Sequence, residues 1–360
     1  MKEMGKFGLK VFLIILFLVS ISKLLDLTGK TDSVSQFQDQ LSRTRMLLNF
    51  HSEIETKEEK PICGDWKESK NIWILETKYP WARSRNLCTV ESVARQMPEY
   101  CVRLLTLFYV PTDPKNFFGR YLENEFENVR LARLQANMIL ESTPFENFLN
   151  ETFDENQQPR HQHSVVHLSD ALRITLVYKY GGIYIDSDIW AKKRIDLAPN
   201  YLARASGAGM LSNAVIKTEK AGSPILKSII EEGRKGYQIN NYAVLMQILS
   251  MRMTEYFKSK NHSMPEMSDI AGRIDDIGEW KIFGHETGAL CRDYGKNQLE
   301  TPEQAKKKFE TFMAENCSMF HYMQSYFGQT QTYSTIDKSN LAVRVMAQTC
   351  PFVLSHVETI

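Results

Sequence analysis

The chain has 360 residues, 43% of them hydrophobic and 24% charged, a composition that folds and excludes a chain disordered throughout. Its 44 Lys+Arg oppose 43 Asp+Glu, so a net charge of +1 gives no global field that would point to nucleic acid as a partner. A soluble part of about 300 residues makes one large α/β domain or two ordinary ones, either with room for a deep site.

Lys2, Lys6 and Lys10 precede Val11 to Ser22, an uncharged, mostly apolar run closed by Lys23. As a helix this run spans about 18 Å against a hydrocarbon core of roughly 30 Å. A membrane anchor here therefore needs Phe7, Leu9, Leu24, Leu25 and Leu27 as well, with the lysines snorkelling. A cleaved signal peptide is the rival reading, since Ser20 and Ser22 supply a small-x-small pair. Both routes lead into the secretory pathway. An anchor with lysines before it would put everything after Leu27 in the lumen.

The segment from Thr28 to Lys60 is polar and reads as a tether. Cys63, Cys88, Cys101, Cys291, Cys317 and Cys350 all follow the apolar run, and an even number in an oxidising compartment favours disulfides, with the pairing left open. No CxxC spacing occurs, which argues against zinc. Glycosylation sequons begin at Asn150, Asn261 and Asn316.

Lys70 to Thr77 has the pattern of a first buried strand, Cys88 to Met97 of a helix stopped by Pro98, and Val102 to Val110 of a second strand closed by Pro111. Strand, helix and strand at this spacing predict a βαβ unit and a mostly parallel sheet, with its crevice beyond the carboxyl ends of the strands, where Asp113 falls.

The most informative stretch is HLSDALRITLVYKYGGIYIDSDIW, from His167 to Trp190. Ser169 is expected to cap a helix of about three turns, which Gly181-Gly182 ends in the αL conformation. Ile183-Tyr184-Ile185 then continues as a strand and delivers Asp186 and Asp188 to one side of its far end, because strand side chains alternate with a period of two. Asp170 and Arg173 share a helix face just upstream. Two ionised carboxylates this close repel unless a cation lies between them, and oxygen ligands suit Mn²⁺ or Mg²⁺. Such an ion leaves positions for substrate phosphates, so D-x-D at a strand end reads as a device that holds a diphosphate. The bland alternative for D-x-D alone is a solvated turn.

With these residues in place, S-D-x-x-R followed by K-Y-G-G-x-Y-x-D-x-D resembles the D-x-D sugar transferases of the α-1,4-galactosyltransferase and α-1,4-N-acetylglucosaminyltransferase group. ILETKYPWARSRNLCTVESVARQMPE is similar to that group's E-T-S and C-x-V-E-S-A-A-R segments, Leu211 to Val215 with Ala221 to Pro224 to its N-A and G-H-P pair, and Cys350-Pro351 to its Tyr-Cys-Pro. The resemblance implies a GT-A fold, a single Rossmann-like domain behind a signal-anchor helix, with 1–27 as cytosolic tail and anchor, 28–65 as stem and 66–360 as the lumenal catalytic domain. It further implies a single-pass type II Golgi membrane enzyme that is metal-dependent and retaining, taking a hexose or N-acetylhexosamine from a UDP-sugar to a glycolipid or glycoprotein glycan.

Residue by residue, the resemblance gives the metal to Asp186 and Asp188, with Asp188 favoured as direct ligand, and the nucleotide-sugar to Asp170, Arg173 and Tyr184, with Asn213 as a further contact. His321 aligns with a late H-x-W-N segment and is a candidate third metal ligand, against the bland reading of a core histidine. His161, His163 and His167 have a zinc-like spacing but are read as loop, because the resembling site does not use them. Ile239 to Val244 stands where the galactosyl group carries G-H-Q-G-P, and Met323-Gln324 where W-N is usual, which leaves an inactive lumenal binder of nucleotide or glycan as an alternative. A haloacid-dehalogenase-like phosphatase is a further alternative, with Asp275-Asp276 as its later acidic pair.

Overall fold

The computed structural model describes residues 62–67, 70–77, 84–107, 119–155, 158–194, 200–204, 211–259, 274–277, 280–283, 301–314, 318–321 and 341–356. The chain divides into a unit of Met1–Glu58 and one of Glu59–Ile360, and every described residue lies in the second. The apolar segment 11–22, Asp113, Cys291, Cys317, the sequons at Asn261 and Asn316, and Met323-Gln324 lie outside the described residues. Among the described residues no helix is long and apolar enough to cross a membrane.

The expected βαβ start is present as β1 (Asn71–Glu76), α1 (Ser84–Gln96) and β2 (Cys101–Thr106). All six residues of each strand are buried, so both faces of the sheet must be covered. The chain continues through α2 (Gly119–Glu125), β3 (Val129–Arg133), α3 (Ala136–Leu140), α4 (Phe148–Thr152), α5 (Ser164–Tyr180), β4 (Gly182–Ile185), β5 (Ile189–Ala191), β6 (Tyr201–Arg204) and β7 (Leu211–Thr218). It ends with α6 (Pro224–Lys235), α7 (Val244–Ser259), β8 (Ile274–Ile277), β9 (Trp280–Phe283), α8 (Pro302–Ala314), β10 (Met319–His321), α9 (Leu341–Thr349) and α10 (Pro351–His356).

The main sheet has the order β3-β2-β1-β4-β7-β6-β9-β8, and β5 with β10 forms a separate ribbon. From β3 to β4 the pairing is parallel, as expected. Beyond β4 the sheet is mixed, because β7 runs antiparallel to both β4 and β6, and β8 antiparallel to β9. Alternation along the strands builds a core on each face: Ile72, Ile74, Val102, Leu104, Ile183 and Ile185 face one cluster with α1, and Trp73, Leu75, Leu105 and Tyr184 face the other with α5.

Among the described residues two disulfides are formed, Cys63–Cys101 and Cys88–Cys350. The first pulls part of the expected stem into the fold. Cys63 is buried, the Gly64 carbonyl accepts from Arg103 (2.6 Å), and Trp66 packs on Trp73, so the folded body begins before the expected boundary at 66.

Candidate functional site

The helix leading into the acid motif is longer than its sequence suggested. α5 begins at Ser164, with His163 at the N-cap and no side-chain cap. Ser169 is therefore not a cap but an interior, buried residue whose hydroxyl accepts from the Arg173 Nη2 (2.8 Å). At the other end, Gly181 has φ 68° and ψ −160°, and Gly182 has φ 86°. The positive φ at both is as expected, but the ψ of Gly181 lies outside αL, in a region essentially reserved for glycine. At Gly182 a Cβ would come within 2.5 Å of the Asn71 carbonyl oxygen, so the close approach of β4 to β1 requires a glycine there.

β4 stops at Ile185, and the acids sit on a turn. The Asp186 amide donates to the Ala214 carbonyl (2.8 Å) and the Ile189 amide to the Asp186 carbonyl (3.1 Å). Asp186 and Asp188 thus converge because the chain turns, not because a strand continues with a period of two. β5 then pairs antiparallel with β10, with Ile189 opposite His321. That register brings a histidine from far along the sequence to the acid turn, where its Nε2 lies 3.2 Å from the Asp188 Oδ1. One ligand atom each from Asp186, Asp188 and His321 fall within 4.8 Å of one another, and all three residues are only partly buried.

Beneath them lies a buried network. Arg173 reaches the Asp186 Oδ1 with Nη1 (2.7 Å), sits 3.5 Å from the Asp170 Oδ1, and places its guanidinium 4.8 Å from the centre of the Tyr184 ring. The Tyr184 hydroxyl donates to the same Asp186 oxygen (2.6 Å). The Asn213 amide donates to Asp170 (2.9 Å), and its oxygen accepts from Arg173 (3.3 Å). Asp170, Arg173, Tyr184 and Asn213 are all buried. The structure therefore places these four expected donor contacts under the acid turn, where they hold it. Asn213 lies within β7 and caps no turn.

Burial pushes the Asp170 carboxyl up to about 6, with Arg173 and Asn213 pulling it back. The Asp186 carboxyl is likewise raised by burial, with Arg173 opposing and Asp188 adding to the rise. Asp186 in turn holds the Arg173 guanidinium charged despite its burial. Asp170 and Asp186 thus share the buried Arg173 guanidinium, with Asp188 acting on it as well, and a divalent cation would oppose the repulsion between Asp186 and Asp188. Among the described residues, two carboxylates and an imidazole form a donor set that fits such an ion.

The histidine trio takes a different course. His167 lies in α5, not in a loop, and is fully buried, with Nδ1 3.0 Å from the Tyr237 hydroxyl and Nε2 2.9 Å from the Asn241 carbonyl. The His161 Nε2 meets the same Tyr237 hydroxyl (3.1 Å), and His163 packs edge-on against Tyr242. Among the described residues these rings do not converge as metal ligands. The phosphatase alternative loses its second acidic pair, because Asp275-Asp276 lie on β8, at the opposite edge of the sheet and separated from β4 by β7, β6 and β9.

Sequence reasoning missed one group entirely: Asn86, Thr89 and Ser92 of α1, which contact the segment carrying the acids. Their i, i+3, i+6 spacing was the available signal.

Residues 83–205 match a family model described as a glycosyltransferase sugar-binding region containing a DXD motif. The chain is 36% identical over 137 residues to lactosylceramide 4-alpha-galactosyltransferase of Rattus norvegicus, which covers 37% of this chain and 36% of that protein. It is 30% identical over 133 residues to alpha-1,4-N-acetylglucosaminyltransferase of Homo sapiens, covering 36% and 37%. The chain thus spans just over a third of the length of these curated relatives. A solved structure, "PaToxG Glycosyltransferase", aligns with a TM-score of 0.42 at 17% identity, covering 53% of this chain and 71% of that one. The expected resemblance to D-x-D sugar transferases is borne out over the segment that contains the acid turn.

Proposed function

We propose that the protein is a metal-dependent glycosyltransferase of GT-A type that moves a hexose or N-acetylhexosamine from a UDP-sugar to a glycolipid or glycoprotein glycan with retention of configuration. The observation that carries this reading is the Asp186–Asp188–His321 cluster, whose two acids lie in the segment that matches a DXD sugar-binding family. We further assign it to the Golgi lumen behind a signal anchor at 11–22, on the strength of the lysine-flanked apolar run and the disulfides.

In this reading Asp188 and His321 hold Mn²⁺, with the imidazole favouring it over Mg²⁺, and Asp186 completes the protein's share. When bound, the ion neutralises the charge that grows on the diphosphate as its bond to the sugar breaks. The chain's own work is positional. Tyr184 and Arg173 both engage one oxygen of Asp186, which fixes that carboxylate. Asp170 and Asn213 also engage the guanidinium, at Nε and Nη1, and bond to one another. Acids held in place in advance by these residues would need no reorganisation as charge develops in front of them.

The test is to incubate the full-length protein with a panel of UDP-sugars and Mn²⁺ and to record which one releases UDP. Release from one donor, lost on chelation and in Asp188→Asn, is the expected result. Binding of a UDP-sugar with no hydrolysis or transfer to any glycan would instead identify an inactive lumenal binder. No binding at all would overturn the reading.

A further inference from the structure

α1 is buried along most of its length, yet it carries Asn86, Thr89 and Ser92, polar residues one turn apart that are 1%, 0% and 0% exposed. At this spacing they share one helix face, and each touches the acid-bearing segment. The Asn86 amide donates to the Ser187 hydroxyl (2.7 Å), the Thr89 hydroxyl to the Ser187 carbonyl (2.7 Å), and the Ala191 amide to the Ser92 hydroxyl (3.0 Å). Ser187 is the middle residue of D-S-D, so α1 grips the turn by both its side chain and its backbone.

The helix is itself held on two sides. Asn86 also donates to the Glu76 carboxylate at the end of β1 (2.9 Å). Cys88 is bonded to Cys350, and the Glu91 carboxylate accepts from the Phe352 (2.9 Å) and Val353 (2.6 Å) amides at the start of α10. A rigid support on one face and three contacts to the acid turn on the other make α1 a brace.

We propose that Asn86, Thr89 and Ser92 are positioning residues for the ion site, fixing the D-S-D turn so that Asp186 and Asp188 converge on His321 before the ion arrives. This rests on the metal-site reading above. Two like charges held close repel, and the contacts from α1 oppose the relaxation of the turn that would separate them. Residues behind the ligands commonly set metal affinity by about 10–100-fold.

Mn²⁺ titrated into the full-length protein, with free Mn²⁺ followed by electron paramagnetic resonance, reads the affinity without any turnover. Thr89→Val is expected to weaken binding about tenfold and Thr89→Ser to restore it. Ser92→Ala is expected to weaken it by a smaller factor, and it carries the test if Thr89→Val does not fold. Thr218→Val removes an equally buried hydroxyl, one bonded to the Val177 carbonyl, and is expected to leave Mn²⁺ affinity unchanged. Wild-type affinity, within about twofold, in both Thr89→Val and Ser92→Ala would overturn the brace while leaving the metal site standing. No Mn²⁺ binding by the wild type, or full binding by Asp188→Asn, would overturn the metal reading and the brace with it.

Discussion

Two buried polar clusters sit on α5, one around Arg173 and one around His167. The first gathers Asp170, Asp186 and Asp188 around a single guanidinium. The second is neutral and self-consistent. Asn241 offers a carbonyl, so the His167 Nε2 must carry the proton and Nδ1 must accept from the Tyr237 hydroxyl, whose oxygen then accepts from the His161 Nε2. The residue types most associated with metals, spaced H-x-H-x-x-x-H, pair off with one another and with a loop. The acids instead face one another, Asp188 adding to the rise of the Asp186 carboxyl, and that is what distinguishes a candidate ion site from structural polar packing.

The largest expected effect breaks the charged cluster. Arg173→Met removes the guanidinium and leaves the buried Asp170 and the partly buried Asp186 without it, so chemical denaturation should show a loss of about 3–5 kcal/mol. Adding Mn²⁺ should recover part of that loss by mass action, because the ion binds only the folded protein. A loss as small as that of an exposed ion pair, below about 1 kcal/mol, would erase the contrast between the clusters.

His167→Leu is the matching cut in the neutral cluster. It removes one hydrogen bond from the Tyr237 hydroxyl and one from the Asn241 carbonyl, which keep those to His161 and the Val244 amide, at a cost of about 2 kcal/mol in the same denaturation experiment. Mn²⁺ affinity should stay at the wild-type value, which sharpens the comparison, since both substitutions lie on α5 but only one touches the ion site. Tyr237→Phe is milder, about 1 kcal/mol, because it orphans one buried acceptor, the His167 Nδ1, while the half-buried His161 can turn to water.

What was legible in the sequence was what local pattern decides. β1, α1 and β2 follow from runs of apolar residues between breakers, and Gly181-Gly182 marks a turn that other residues cannot make. Ser169 misled because a serine before an apolar-periodic run looks like a cap, whereas its hydroxyl is used inside the helix by Arg173. His321 was legible only through resemblance. Its place depends on β10 pairing with β5, a contact between distant segments that no local period encodes. Asn86, Thr89 and Ser92 were passed over because polar residues at helical spacing ordinarily mark the solvent face, and here that face is turned to the acid segment.

The smallest effect, and the one that separates the clusters by sign, is the dependence of stability on pH. Burial holds the imidazoles of both His167 and His161 below their ordinary value of 6.5, and the neighbouring histidines add to the depression. The unfolded chain therefore binds these protons first as pH falls. The stability they lend is complete above about 6.5 and is lost as pH drops from there through the lowered folded values. Asp170 works the other way in a lower window. Its carboxyl is raised to about 6 from 3.8, so the folded protein binds that proton first and stability falls as pH rises through that interval. Stability measured by urea denaturation between pH 7.5 and pH 6 should therefore decline on acidification through the neutral cluster (range chosen about the ordinary His value). In His167→Gln, which has no charge to gain, the slope should be shallower. An unchanged slope would mean that the His167 ring takes up its proton in place, and that the chain from His161 through Tyr237 to Asn241 does not depend on a neutral imidazole.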